Sequence, residues 1–327
     1  MGKALYSIKK QEYPKESVEV LVIDGGSSDS TIDIAKSYNA KIINNSKTEL
    51  IYAKHIGFLK ARGKYLIFLD SDEILDNSKS LELKVKVYGM DKSVKAVTHS
   101  GYKTSKDSHV INYYINEFGE PFTLFVYRES KDDLHLIPRY KNKYEIIKEN
   151  NNGIVFRFSG KKLPYIELWS GGCSIDLEYS RETFPEIKNN PSLIALLFYL
   201  LIGRGKYLGV TKNDPTIHQS AENLGSYLRK ISSRVRNNVF KTSMGLAGFS
   251  GREKYENFWI RFKKYLFLPY GLTVIPPLID GLYLIGSRRR SVYLFHLPLT
   301  LYTCLLIIYF YIFKIFGIEM KFKTYGK

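Results

Sequence analysis

Five apolar residues in a row, Tyr65, Leu66, Ile67, Phe68 and Leu69, stop abruptly at Asp70. A run this short and this uniformly apolar reads as a strand buried on both faces. Residues 18–23 (VEVLVI) end in the same way at Asp24, followed by Gly25 and Gly26. Between the two runs, 31–38 and 49–61 carry helical patterns, and Ser28, Asp29 and Ser30 offer an N-cap to the first. Residues 40–43 (AKII) read as a further strand. Strands alternating with helices predict an α/β domain with a mostly parallel sheet covered by helices on both faces. Such sheets bind ligands beyond the carboxyl ends of their strands. Asp24 and Asp70 occupy two of those ends.

The C-terminal third has a different character. Residues 292–313 (VYLFHLPLTLYTCLLIIYFYIF) contain no formally charged side chain. As a helix they extend roughly 33 Å, enough to cross a bilayer core. Arg288, Arg289 and Arg290 precede this stretch and Lys314 follows it. A second apolar stretch, 265–285, is broken by Pro269, Pro276, Pro277 and Asp280, and reads either as a second span or as an interfacial segment. Topology turns on the lysines beyond the span: with one span Lys321, Lys323 and Lys327 lie across the membrane, with two they return.

Net charge is +17, and between Arg204 and Arg290 there are 16 Lys and Arg against 5 Asp and Glu. A surface of this kind suits anionic lipid, phosphorylated small molecules or nucleic acid. Nucleic acid is set aside, because it accounts for neither the apolar span nor the acidic motif at Asp70. Cys173 and Cys304 are far apart and match no metal spacing.

Asp70-Ser71-Asp72 places two carboxylates one residue apart at the end of a buried strand. Hard divalent cations such as Mg²⁺ or Mn²⁺ are often held by one or two carboxylates together with substrate phosphates. The run LVIDGGSSDSTIDIAKSY, followed by AKHIGFLKARGKYLIFLDSDEIL, resembles the N-terminal half of family 2 glycosyltransferases. The residues that carry the resemblance are Asp24 to Asp29, then Lys54, His55 and Gly57, then Ala61, Gly63, Asp70 and Asp72. It continues faintly through 169–173, Phe184-Pro185-Glu186, 205–210 and Ile217-His218.

This resemblance implies a GT-A, Rossmann-like fold and transfer of a sugar, with inversion, from a nucleotide diphosphate sugar. It assigns Asp70 and Asp72 to the metal and donor phosphates, Asp72 thereby being catalytic. Asp24, with Gly25, falls to the nucleoside, and Lys54 to the diphosphate or to a solvated helix face. Asp29 is expected to cap a helix. His218 is expected in a structural or donor-side role, and His296 as a polar residue near the membrane interface. The acceptor implied is a polyprenyl phosphate or growing lipid-linked glycan, with the catalytic domain on the cytoplasmic face. The expected layout is a glycosyltransferase domain over 1–227, a basic amphipathic connector over 228–264 and a membrane region over 265–318.

Two departures from the family pattern matter. Residues 1–10 already read as the helix that normally follows the opening strand, so the sheet is expected to lose an element beside the nucleotide pocket and expose strand edges. The Glu-Asp pair that supplies a general base is replaced by Asn189-Asn190-Pro191-Ser192, leaving Glu186 as the nearest candidate base. A phosphate acceptor is already anionic and needs no base. The other reading is a catalytically inactive relative that only binds nucleotide sugar or partners.

Overall fold

A computed structural model describes residues 1–158, 163–241 and 251–318. The elements in chain order begin with α1 (Gly2–Lys9), β1 (Leu21–Asp24), α2 (Thr31–Ser37), β2 (Lys41–Asn44), α3 (Leu50–Lys60), β3 (Tyr65–Phe68) and β4 (Glu73–Leu75). There follow α4 (Ser80–Met90), β5 (Ala96–Thr98), β6 (Tyr102–Lys103), α5 (Ile111–Phe118), α6 (Pro121–Tyr127), α7 (Leu136–Lys143), β7 (Glu145–Glu149) and β8 (Gly153–Arg157). Then come β9 (Cys173–Asp176), α8 (Leu177–Thr183), α9 (Leu197–Gly205), β10 (Tyr207–Thr211) and β11 (Thr216–His218). The chain closes with α10 (Leu224–Lys241), α11 (Phe258–Tyr265), α12 (Phe267–Leu272), α13 (Ile275–Arg288) and α14 (His296–Ile315).

The fold is α/β, but its sheets are mixed. Six strands run in the order β3-β9-β5-β10-β8-β7, and within them only β5 and β10 are parallel. Expecting a mostly parallel sheet was wrong for this part of the chain, because β9 enters between β3 and β5 antiparallel to both. A three-stranded sheet, β4-β11-β6, stands beside it, and among the described residues β1 pairs only with β2, in parallel. On β8, Ile154 and Phe156 face one apolar cluster and Val155 faces another, formed with Val87 and Tyr88 of α4. Strand alternation with both faces buried explains why that run is uniformly apolar.

β1 and β3 do not pair with each other. The unpaired edges of both line one cleft of about 1400 Å³. The Met1 ammonium donates to the Ser71 carbonyl (2.9 Å), so α1 starts at the carboxyl end of β3.

The C-terminal helices dock on the rest of the chain. α10 buries Tyr227, Ile231, Val235 and Val239 at four-residue spacing in a cluster shared with Leu299 and Phe310 of α14. The boundary expected after residue 227 therefore falls inside a helix. Residues 265–285 form two short helices, and Asp280 of α13 is held by both Arg128 guanidinium nitrogens (2.7 Å each) and by Tyr270. Glu117 of α5 accepts from Arg288 Nε (2.8 Å) and from the Tyr293 hydroxyl. Among the described residues one helical segment, Ser291–Ile315, is long and apolar enough to cross a membrane, with a mean hydropathy of 1.8 and 39% of that window buried. His296 is buried between the hydroxyls of Tyr114 (2.7 Å) and Tyr270 (2.8 Å). Lys321, Lys323 and Lys327 lie outside the described residues.

Candidate active site

The carboxyl end of β3 turns sharply through Asp70, Ser71 and Asp72. Glu73 closes that turn: its amide donates to the Asp70 carbonyl (3.0 Å) and its Oε2 accepts from the Asp70 amide (2.8 Å). The same oxygen accepts from the Gly171 amide (2.7 Å), and Oε1 accepts from the Tyr102 hydroxyl (3.2 Å). Gly171 has φ +69°, and a Cβ there would stand 2.7 Å from His99 Nε2. Only glycine brings its amide so close. Glu73 is 1% exposed, and burial followed by the Asp70 charge pushes its carboxyl up to about 8, with Lys54 opposing.

Lys54, on α3, is buried rather than solvated and bonds Asp70 Oδ1. Asp72 is 36% exposed toward the cleft, with His218 Nε2 3.7 Å and Lys230 Nζ 3.8 Å from its Oδ2. The amide group of Asn116 donates to Thr104 Oγ1 and to the His218 carbonyl, which turns its Oδ1 toward His218 Nδ1 (2.8 Å). Nδ1 therefore carries the proton, leaving a lone pair on Nε2 facing Asp72. Burial, then the Lys230 charge, lowers His218 to about 3, which keeps the ring neutral.

Asp24 lies on the opposite rim. Its Oδ2 accepts from the Gly26 amide (2.8 Å) and the Ser27 amide (3.0 Å), and its Oδ1 accepts from Ser27 Oγ (2.6 Å). Burial opposes ionisation of Asp24, but the Ser27 hydroxyl and these amides outweigh it and hold its pKa below the ordinary carboxylate value. Gly25 also lines the cleft. Asp29 Oδ1 accepts from the Thr31 amide (3.0 Å) at the start of α2, in keeping with a capping role.

The cleft thus gathers Asp24, Gly25, Lys54, Asp70 and Asp72, from three segments of the first 75 residues, with His218. Asp70 and Asp72 provide hard oxygen donors, and His218 provides a nitrogen lone pair beside them. No third ligand atom from His, Cys, Asp or Glu joins the two aspartates within 4.8 Å among the described residues. That donor set fits a divalent cation completed by substrate phosphates, rather than one enclosed by protein.

Residues 1–152 match the family model described as Glycosyl transferase family 2. Over these residues the chain is similar to that family. A dolichyl N-acetyl-alpha-D-glucosaminyl phosphate 3-beta-D-2,3-diacetamido-2,3-dideoxy-beta-D-glucuronosyltransferase of Methanococcus voltae is 38% identical over 72 residues, 20% of this chain and 22% of that protein. Glycosyltransferase AglE of Haloferax volcanii is 37% identical over 76 residues, 21% of this chain and 25% of that protein. The matched region thus spans a quarter or less of these curated relatives. The crystal structure of S. aureus TarS 1–349 is 14% identical with a TM-score of 0.44, covering 99% of this chain and 90% of that one.

Glu186 is exposed on a short 3-10 turn and is not among the residues lining the cleft. Asn190 Oδ1 accepts from the Ser192 amide and hydroxyl and caps the next turn. Sequence reasoning missed Glu73, Tyr102 and Lys230. Glu73 directly follows the aspartate motif, but nothing in the sequence distinguishes a buried turn-closing glutamate from a solvated one. Lys230 had a signal, its place on a basic amphipathic helix, without any indication of what that helix faces.

Proposed function

We propose that this chain transfers a sugar from a nucleotide diphosphate sugar to an anionic, lipid-linked acceptor. The observation that carries the reading is the convergence of Lys54, His218 and Lys230 on Asp70 and Asp72 at the end of β3. Asp70 and Asp72 would hold Mn²⁺ or Mg²⁺, which would supply charge neutralisation for the departing diphosphate. Lys54 offsets the charge of Asp70, and Lys230 adds positive charge where a diphosphate oxygen would lie. Glu73 keeps Asp70 in place without adding a third negative charge in its protonated form. Asp24 and Gly25 form the rim proposed for the nucleoside. An acceptor phosphate is its own nucleophile, so no side chain has to remove a proton. The apolar helices α11–α14 would seat the chain on the membrane where the lipid resides, with the cleft on the cytoplasmic side.

Calorimetry with uridine diphosphate and Mn²⁺ tests the reading. Asp70→Ala and Asp72→Ala are expected to abolish metal-dependent binding, and unchanged affinity in both would overturn the assignment. The second reading is binding without turnover. It is distinguished by donor hydrolysis, which an active enzyme shows and an inactive relative does not.

A further inference from the structure

α13 is built inside out. Ile275, Leu278, Ile279, Leu282 and Tyr283 repeat at three- and four-residue spacing on its outer face, with Ile279 59% and Tyr283 70% exposed. The helix turns its charges inward instead, Asp280 onto Arg128 and Arg288 onto Glu117. A helix bordering water on one side arranges these groups the other way round. The bias extends beyond α13. Among the described residues, 20 large hydrophobic side chains are exposed from Phe258 onward, against 6 in all that precedes it. α11, α12, α13 and α14 pack on one another in succession, so these side chains belong to one region. An apolar surface of this extent calls for a cover other than water.

Charge chooses the cover. Between Arg261 and Lys314 there are 7 Lys and Arg against a single acidic residue, Asp280, which Arg128 already holds. Lys264 and Arg288 pair with Glu256 and Glu117, while Arg261 and Arg289 stay exposed. Apolar side chains with cations among them complement the hydrocarbon and the anionic headgroups of a lipid leaflet.

Two sets of contacts limit how far the chain can enter that leaflet. α12 and α13 run antiparallel to α14, with Gly271 facing Thr300 and Cys304, and Gly281 facing Tyr293 and His296. The tip of this hairpin is docked on α5. Arg288 and Tyr293 both bond the fully buried Glu117, and the Arg290 guanidinium lies 4.2 Å from the centre of the Tyr113 ring. A hairpin crossing a bilayer would hold its tip on the side away from the α/β domain. Here the tip sits on that domain. α14 then runs beside α10, from the Tyr302 hydroxyl on the Leu228 carbonyl to Lys314 Nζ on the Val239 carbonyl (2.7 Å). α10 in turn lines the cleft with Lys230 and Arg234. If α14 crossed, α10 and the Asp72 end of the cleft would be drawn into hydrocarbon, where cations are costly. The run 292–313 is long enough to span, yet its packing holds it along the domain.

We propose that this chain is monotopic: α11, α13 and the outer stripe of α14 enter one leaflet of an anionic bilayer, and no helix among the described residues crosses it. The proposal rests on the membrane seating in the glycosyl-transfer reading. Its test reads topology and lipid contact, not the donor, so either can fail while the other stands.

Topology is read on the full chain in sealed membrane vesicles, with an impermeant maleimide added before or after detergent. Lys92→Cys reports the α/β domain, Ser291→Cys the hairpin tip and Ile318→Cys the far end of α14, all at exposed positions. Cys173 and Cys304 are buried, and the parent chain gives the background. All three cysteines are expected to label from the same side. Ile318→Cys alone on the opposite side would mean one span, and Ser291→Cys alone two spans; either overturns the proposal. Lipid contact is read by sedimenting the full chain, diluted from detergent, with vesicles containing phosphatidylglycerol. Ile279→Glu is expected to weaken this binding about tenfold, with melting and uridine diphosphate binding unchanged. Vesicles of phosphatidylcholine alone are expected to bind about tenfold more weakly than the anionic ones. Unchanged vesicle binding in Ile279→Glu would overturn the lipid face, and equal binding to both vesicles its preference for anionic lipid. A detergent-free dimer that Ile279→Glu dissociates would give the face to a second copy of the chain, and overturn the proposal as well.

Discussion

Lys230 Nζ on α10 lies 3.8 Å from Asp72 Oδ2, joining a helix of the C-terminal third to the acidic motif that ends β3. The ammonium and a divalent cation would compete for the same carboxylate, yet both favour a diphosphate. Lys230→Gln is therefore expected to leave Mn²⁺ binding alone unchanged or tighter, while weakening uridine diphosphate with Mn²⁺ by about tenfold. Titration of Mn²⁺ by electron paramagnetic resonance, with and without the nucleotide, separates the two effects. Equal weakening in both titrations would mean that Lys230 supports the metal site through structure alone.

Asp24 holds the Gly26 and Ser27 amides of its own loop. Asp24→Ala is expected to weaken uridine and uridine diphosphate alike, because Asp24 belongs to the rim proposed for the nucleoside and not to the proposed metal end. A loss seen only with metal and diphosphate present would contradict that role.

Lys84 and Asp214 form an ion pair of 2.7 Å with both side chains almost wholly buried, and it ties α4 to the loop between β10 and β11. Lys84 also donates to Ser80 Oγ, and Asp214 accepts from Thr211 Oγ1. Lys84→Met leaves a buried carboxylate without its cation and is expected to cost about 3–5 kcal/mol. Adding Asp214→Leu should recover much of that loss. Urea midpoints of the two variants give the comparison, and an additive double variant would show that the pair is not coupled.

His99 is buried under the Gly171 turn and packs edge-on against Tyr102. Burial lowers its pKa to about 4 from an ordinary 6.5; the Gly101 carbonyl and Asp214 oppose, while Lys84 and His218 reinforce. Between these values the unfolded chain binds a proton that the folded chain does not, so stability falls as pH drops from 6.5 toward 4. The loss from this group is on the order of 3 kcal/mol. Urea midpoints at pH 7 and pH 4.5 should converge in His99→Gln, and an undiminished acid slope in that variant would place the effect elsewhere.

α14 covers Tyr227, Ile231, Val235 and Val239 of α10. Full-length protein is expected to need detergent and to stay with membranes after a carbonate wash. Removing residues 263–327 uncovers that apolar stripe, so the shortened chain should aggregate rather than become a soluble domain. Light scattering of the shortened chain is the check, and a monodisperse product would show that α10 folds without its partner.

Much of the first 75 residues was legible in sequence because strand and helix periodicities there are local. β3 ends where the apolar run ends, α3 spans Leu50–Lys60, and the aspartates stand at strand ends. Family likeness covered this stretch and named Asp24, Asp70 and Asp72. The strand order was not legible. β9 pairs antiparallel with β3, a long-range choice that no local pattern encodes.

The sequence by itself determined the α/β character, the acidic motif at the end of an apolar strand and one helix apolar enough for a membrane. Each follows from side-chain period, hydropathy and turn chemistry, which act over a few residues. Only the tertiary structure decided that Lys54 is a buried partner of Asp70 and that Glu73 is the clasp of the motif. It also decided that α14 is part of the core and that α10 turns Lys230 and Arg234 into the cleft. The physical reason is that burial and charge pairing depend on what arrives from elsewhere in the chain. A lysine's sequence neighbours do not say whether a carboxylate or water will meet its ammonium.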